Sequence, residues 1–338
     1  MSGSIENSFD LQPNKLAGSV EELLRGVDVA GEIDAADSRS GAKLERVEID
    51  GEKFVLKRIS WSQDWLMRTS DDTAGWTARA WESGIMSHIP DSIDHTTVGA
   101  ARWASAEGAD TAVLMRDVVG IVPDGDSVVP LDQHLQLIDR MAELHAHFLG
   151  FSGVEGLMPL ENRLLFLSPN VAKKELEYDP TSQIPGFVIE GWKQFAEKAP
   201  ELSRVVLPLL DDVSPLVKAM QETPFTFMHG DWKATNLGTS EDGRTILIDW
   251  AFPGFGPGCG ELVWYLALNA ARNPQSKEET ISVYRNALER HGVDGAPWFD
   301  RQLELAILGV MVQFGWEKAL GGGDEFKWWN KAARATRL

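Results

Sequence analysis

Within FTFMHGDWKATNLGTSEDGRTILIDW, residues 225–250, three oxygen-bearing side chains are spaced in a way that could support chemistry: Asp231, Asn236 five positions on, and Asp249 eighteen positions after Asp231. A carboxylate such as Asp231 can accept a hydrogen bond from a substrate hydroxyl. Asn236 and Asp249 offer the hard oxygen ligands that Mg²⁺ on nucleotide phosphates prefers. Together these are the parts of a phosphoryl-transfer centre. The apolar runs FTFM and TILIDW read as short strands around a polar, Gly-containing loop or tight ribbon, so two strand ends should meet at one site. A turn rich in Asp and Asn accounts for either carboxylate alone, but not for the pair bracketed by two apolar strands.

Other elements must carry the groups that hold a nucleotide. From Leu44 to Ile59 the pattern LERVEIDGEKFVLKRI alternates around the turn IDGEK and reads as an antiparallel hairpin. Lys57, directly after Phe54, Val55 and Leu56, can then emerge beneath the hairpin toward phosphate oxygens. Thr73 to His88 reads as a helix closed by Pro90, and its Glu82 can supply the counter-charge for Lys57, with Glu32, Glu45 and Glu48 as further candidate partners. Gly41 precedes Lys57 by one hairpin, so the N–H groups of Ser40, Gly41 and Ala42 could face phosphate oxygens as a small nest. Ala112 to Met115 reads as a short buried strand, and the stretch from Asp117 through the Pro/Asp/Gly-rich segment reads as the passage into a second block. After Pro130 the sequence is mainly helical, in LDQHLQLIDRMAELHAHF, GFVIEGWKQFAEKA, ELVWYLALNAAR, KEETISVYRNALERHG and FDRQLELAILGVMVQFGWEKAL.

The spacing of Asp231, Asn236 and Asp249 is similar to that of the protein-kinase catalytic loop and its metal-binding Asp, but HGD stands for HRD and IDW for DFG. HGDWKATN matches His, any residue, Asp, four residues, Asn, and with IDW it resembles the aminoglycoside phosphotransferase and choline kinase-like family. The resemblance covers roughly Ser38 to Ala271: SRSGA at 38–42 looks like the shortened nucleotide loop, VLK ending at Lys57 like the phosphate-binding strand, LMRDV at 114–118 like the hinge, and ELHAHF at 143–148 like the leucine-histidine helix. It implies an α+β, protein-kinase-like bilobal fold, with a β-rich nucleotide-binding lobe over residues 1–117 and a larger, mainly helical catalytic and substrate-binding lobe over 118–338.

The resemblance further implies Asp231 as a catalytic residue; Lys233, inside the same loop two residues on, is a second catalytic candidate that could contact the transferred phosphoryl group, the alternative being a solvent-facing lysine. Ser40, Gly41, Ala42, Lys57, Glu82, Met115 and Asp117 would bind ATP or GTP, and Asn236 and Asp249 would hold Mg²⁺. His229 would orient the loop by hydrogen bonding. Glu261 stands where the family usually has Asp, which leaves the loop's hydrogen bonding open. The implied activity is transfer of a γ-phosphoryl group to a hydroxyl of a sugar, aminoglycoside or amino alcohol. Two alternatives are a nucleotide-binding regulatory protein without turnover and a protein kinase; the second is disfavoured because AFPGFGPGCGELVW passes straight into a helix.

Composition sets the outer bounds. The 338 residues, 43% hydrophobic and 25% charged, suit a soluble globular protein of one large or two modest domains. A net charge of −19 argues against nucleic acid or an anionic membrane as partner and is compatible with a cationic acceptor. The start lacks a cationic n-region followed by an apolar stretch, and no run could span a bilayer, so cytoplasmic residence is expected. The single Cys259 excludes an internal disulfide. His145 and His147, two apart on a helix, face different sides and make no metal site. Most of the thirteen Trp residues read as core, while GGGDEFKWWN at 321–330, with Trp328 and Trp329, is the candidate for a mobile substrate-side element in a C-terminal region that would select the acceptor.

Overall fold

A computed structural model describes residues 8–33, 40–106, 108–118, 122 and 127–338. Ser38 and Arg39 of SRSGA, and most of the passage from 119 to 126, lie outside the described residues. The chain opens with helix α1 (Val20–Leu24) and strand β1 (Val29–Glu32), followed by β2 (Lys43–Ile49) and β3 (Glu52–Ile59). Helices α2 (Trp65–Ser70) and α3 (Trp76–Glu82) then lead to β4 (Ile93–Asp94), β5 (Thr97–Ala104) and β6 (Ala109–Arg116).

β2 and β3 form the expected hairpin, closed by the two-residue turn Asp50–Gly51. They lie in an antiparallel sheet of order β1–β2–β3–β6–β5, which places β3 at its centre. Alternation then decides where Lys57 points. Phe54 and Leu56 face a small core with Val47, Ala112, Leu114 and Leu24 of α1, so Val55 and Lys57 fall on the opposite face. The expected helix over 73–88 is shorter: α3 ends at Glu82, and a separate 3₁₀ turn runs from Ile85 to His88. Gly84, between them, breaks the helical run.

The second region is helical around two small sheets. It contains α4 (Leu131–His147), α5 (Leu160–Leu165), α6 (Pro169–Tyr178), α7 (Gln183–Lys198), α8 (Pro200–Asp211) and α9 (Ser214–Met220). Strands β7 (Phe225–Met228), β8 (Leu237–Thr239), β9 (Thr245–Leu247) and β10 (Gly254–Pro257) follow, then α10 (Gly258–Leu268), α11 (Lys277–Arg290), α12 (Phe299–Gly321) and α13 (Gly323–Ala333). The two runs that bracket the Asp231 loop belong to different sheets: β7 pairs with β10, and β9 pairs with β8 and β4. The molecule is thus α+β, with its five-stranded sheet in the N-terminal region and most of its helices in the C-terminal region.

α12 is apolar around most of its circumference because it is the central helix, packed by α5, α7, α10 and α13. Among the described residues no helix is long and apolar enough to cross a membrane.

The segment GGGDEFKWWN departs from the expectation of a mobile element. Its glycines end α12 and begin α13, and Trp329 is fully buried, its indole N–H donating to Glu325 at 2.6 Å. Trp328 packs edge-on against Trp329 and donates to Glu278 at 2.6 Å, while the Lys277 ammonium lies 5.1 and 5.8 Å from the two ring centres. The pair is a seam between α11 and α13. Trp329→Ala should therefore cost about 3–5 kcal/mol of stability, and Trp328→Ala distinctly less. Urea unfolding measures both, and equal small losses would contradict the burial.

Candidate active site

The loop after β7 is organised around Gly230. With φ at +87°, a Cβ there would stand 2.0 Å from the Phe252 carbonyl oxygen and 2.1 Å from the Arg163 guanidinium, so only glycine fits. Its buried peptide groups need partners. The Gly230 N–H donates to the Glu261 carboxylate, and its carbonyl accepts from Arg163 Nη1 at 2.9 Å. Arg163 also donates to the Phe252 carbonyl and so ties the Asp231 loop to the segment after Asp249.

Glu261, the departure from Asp noted in the sequence, supplies the reach for two partners. One oxygen takes the Gly230 N–H, and the other lies 2.9 Å from His145 Nε2, whose Nδ1 is 2.7 Å from the Tyr284 hydroxyl. Burial pushes the Glu261 carboxyl up, but the hydrogen bonds from His145 and from the Gly230 N–H help to hold it below the usual carboxylate range. His145 thus serves structure, as its helical position suggests.

His229 is also spoken for. Its Nδ1 accepts the Asp231 N–H at 3.2 Å and its Nε2 donates to the Ile248 carbonyl at 3.0 Å, an assignment fixed by these partners. An Nδ1 that accepts carries no proton, so the imidazole is neutral, and burial pushes its pKa down in the same direction. With both nitrogens on main chain, it orients the loop.

The Asp231 carboxylate is buried and meets three donors. Oδ1 accepts from Trp264 Nε1 at 3.1 Å, and Oδ2 accepts from Asn236 Nδ2 at 2.9 Å and Lys233 Nζ at 2.7 Å. Asn236 Nδ2 also donates to the Asp231 carbonyl at 3.0 Å, which turns the amide oxygen of Asn236 away from Asp231 as a possible cation ligand. Ala234 N–H donates to Asn269 Oδ1 at 2.9 Å and anchors the loop to α10.

Asp249 follows β9 with φ at +63°, a strained conformation for a residue with a side chain. Its Oδ1 lies 2.6 Å from Lys57 Nζ, with the carboxylate a third exposed. Burial pushes the Asp249 carboxyl up, but the charges of Lys57 and Lys233 and the hydrogen bond from Lys57 overcome this and hold it at about 2. Lys57, Asp249, Lys233, Asp231 and Asn236, drawn from β3 and from the segment between β7 and β10, form a cluster of two contacting groups, joined where the Ile248 N–H donates to the Asn236 carbonyl at 3.0 Å. Its oxygen donors, Asn236 and Asp249, are of the hard type that fits Mg²⁺.

Glu82 requires a correction. Its carboxylate receives Arg79 at 3.2 Å and Arg102 at 3.0 Å, not Lys57. α3 stops at Glu82, where two arginines reach the carboxylate. Of the other glutamates, Glu45 pairs with Arg58 at 2.5 Å and Glu32 lies 3.6 Å from Lys43. The additional acid near Lys57 is Asp64, which spacing did not reveal. It caps α2 by accepting from Leu66 and Met67 N–H at 2.8 and 3.1 Å, takes a hydrogen bond from Ser40 and feels the Lys57 charge. Its position as an N-cap was the available signal.

Ser40, Gly41 and Ala42 lie against that cap. Ser40 C=O accepts from Trp65 N–H at 3.1 Å, a Cβ on Gly41 would stand 2.3 Å from the Gln63 carbonyl oxygen, and Ala42 N–H reaches the Ser40 hydroxyl at 3.4 Å. Met115 lies within β6 opposite Val55 and Thr97. Asp117 N–H donates to the Lys53 carbonyl at 3.2 Å, so its amide is held by the hairpin.

A depressed carboxyl contributes stability that is fully present above the ordinary Asp range, near pH 4, and is lost as pH falls toward about 2. Removing Lys57 takes away its charge and its hydrogen bond, leaves Lys233 to oppose burial, and so lets the Asp249 carboxyl rise. Lys57→Met should therefore lose less Tm than the wild type between about pH 5 and about pH 3. Thermal melts across that range test it, and an unchanged acid slope would contradict the ion pair.

Residues 39–295, more than half of the chain, match the model of the phosphotransferase enzyme family. No curated protein matches the sequence. Among solved structures, the choline kinase LicA from Streptococcus pneumoniae is 13% identical, with 91% of this chain and 95% of that one covered at a TM-score of 0.49. A microcompartment-associated aminopropanol kinase is 14% identical, with 88% of each chain covered at 0.47. Aminoglycoside phosphotransferase APH(3'')-Id from Streptomyces rimosus is 18% identical, with 85% of this chain and 93% of that one covered at 0.46. The assignment rests on the family match: the chain belongs to the phosphotransferase enzyme family, and its fold is α+β, with a β-sheet N-terminal region and a helical C-terminal region.

Proposed function

We propose that the chain is a small-molecule kinase that moves the γ-phosphoryl group of ATP or GTP to a hydroxyl of a sugar, aminoglycoside or amino alcohol. The observation that carries this reading is the cluster in which Lys57 meets Asp249 at 2.6 Å while, joined to it through the Ile248 N–H on the Asn236 carbonyl, Lys233 and Asn236 meet Asp231 at 2.7 and 2.9 Å. Two cations and three oxygen-bearing groups in one place suit a reaction that depends on positioning and charge neutralisation. We take the β-rich lobe to end at residue 117 and the catalytic lobe to run from 118.

In this reading Asp231 accepts a hydrogen bond from the acceptor hydroxyl and takes its proton late, as the acceptor oxygen bonds to the γ-phosphorus and the bond to the β–γ bridging oxygen breaks. Lys57 moves from Asp249 to the α- and β-phosphate oxygens, and Lys233 from Asp231 to the transferred group. Asn236 and Asp249 would hold Mg²⁺, which when bound neutralises phosphate charge. Ser40, Gly41 and Ala42 would cover the phosphates, and Met115 and Asp117 would border the base. Glu82 would support α3 through Arg79 and Arg102. The acceptor is a small hydroxyl compound, with neither nucleic acid nor membrane as partner, and the enzyme would work in the cytoplasm.

Asp231→Ala should lower acceptor phosphorylation by roughly 100-fold or more while leaving Mg²⁺-nucleotide affinity nearly intact. Turnover near the wild-type rate would sink the assignment. Asp249→Ala should lose Mg²⁺-dependent nucleotide binding and activity together, because the anionic oxygen ligand is gone. Calorimetry showing unchanged Mg²⁺-nucleotide affinity would exclude that role. A protein that binds nucleotide tightly but transfers nothing across aminoglycosides, amino sugars, hexoses and choline would instead be a non-catalytic regulatory relative.

A further inference from the structure

We propose that Trp264 is a positioning residue that fixes the carboxylate plane of Asp231 for the acceptor hydroxyl, an inference that rests on the phosphotransfer reading. A carboxylate offers about four acceptor positions. At Asp231, among the described residues, three are occupied: one on Oδ1 by Trp264 Nε1 at 3.1 Å, and two on Oδ2 by Asn236 Nδ2 at 2.9 Å and Lys233 Nζ at 2.7 Å. The position left over lies on Oδ1, the oxygen that Trp264 holds. Once Lys233 turns to the transferred phosphoryl group, Trp264 and Asn236 remain, one on each oxygen, and rotation about the Asp231 Cβ–Cγ bond stays blocked.

An indole suits this task. Its N–H is a donor only, so it cannot compete with Asp231 for the hydroxyl proton. The ring itself is held firmly. It is buried, stacked at 6.3 Å on Phe166, and in edge contact with Phe252 at 6.3 Å and Phe314 at 5.0 Å. The Arg163 guanidinium, which anchors Gly230, lies 5.9 Å from its centre. Trp264 sits on α10 one turn after Glu261, which takes the Gly230 N–H. The same helix thus fixes both the backbone and the side chain of the Asp231 loop. Because the ring is enclosed, Trp264 acts through Asp231 rather than on substrate.

Trp264→Phe keeps an aromatic ring and removes the donor. Its kcat should fall between roughly tenfold and 100-fold, with nucleotide KM and Mg²⁺-nucleotide affinity unchanged. Phe314→Leu loosens the ring's packing but spares the N–H, so it should lower Tm while lowering kcat far less than Trp264→Phe does. A contact readout needs no turnover: the ¹⁵N-indole resonance of Trp264, identified by its loss in Trp264→Phe, should shift in Asp231→Asn. The proposal is overturned if Trp264→Phe retains kcat, if Phe314→Leu loses kcat equally, or if the indole resonance ignores Asp231→Asn. Absence of turnover in the wild type overturns the phosphotransfer reading and this inference with it, and is recognised without any variant.

Discussion

The buried backbone corner at His229–Gly230–Asp231 is the constraint on which the site depends. Peptide groups removed from water must be paired, and an unpaired one costs as much as a lost hydrogen bond or more. Here the pairing partners come from four separate places: Arg163 from α5, Glu261 from α10, the Ile248 carbonyl through His229, and His145 of α4 behind Glu261. Each helix is packed into the large core, so their side chains arrive at fixed positions. Asp231 can then be aimed because the loop that carries it has no freedom left.

Charge is arranged around that corner with similar economy. Arg163 is buried with its donors on two carbonyls and near the Glu261 and Asp231 carboxylates, so its charge is offset locally. Lys57 and Lys233 pair with the Asp249 and Asp231 carboxylates. These two pairs differ from Arg163 in being partly open, with lysine side chains 15% and 34% exposed, and under the proposed function both ammonium groups would exchange a carboxylate for a phosphate. Farther out, α2 is joined to α6 by Arg68, which donates to both Glu175 oxygens at 2.8 and 2.7 Å, and to α5 by Asn162 donating to the Ser70 carbonyl at 2.9 Å. Thr77 of α3 donates to the Trp250 carbonyl at 2.7 Å, next to Asp249. The sheet that carries Lys57 is thereby held over the Asp249 segment.

What could be read from sequence was local. The β2–β3 hairpin announces itself by alternation and an Asp-Gly turn, and the long helices after Pro130 by their periodicity. The grouping of Asp231, Asn236 and Asp249 follows from short-range spacing along one segment. What could not be read depends on contacts between distant residues. Lys57 and Asp249 are 192 positions apart, so nothing near Lys57 names its partner, and a plausible glutamate on the next helix is a misleading neighbour. Asp64 was hidden because a helix cap looks the same whether or not a lysine sits above it. Trp264 reads as one more core aromatic, since hydrophobic patterning carries no information about where its single N–H points. The helices from 160 to 178 and from 200 to 220 are short, begin at Pro159, Pro169, Pro200 and Pro215, and in one case contain Pro208, so each offers few turns of periodic signal.

The central claim is that the cluster from Lys57 to Asn236 transfers phosphate to a small hydroxyl compound. ³¹P NMR of the protein with Mg²⁺, ATP or GTP and a panel of aminoglycosides, amino sugars, hexoses and choline tests it most directly. The account predicts a new phosphate-monoester resonance that grows as the γ-phosphate signal declines, in equal amount and only with a particular acceptor. Loss of the γ-phosphate to inorganic phosphate alone, or an unchanged nucleotide spectrum with every acceptor, would contradict it.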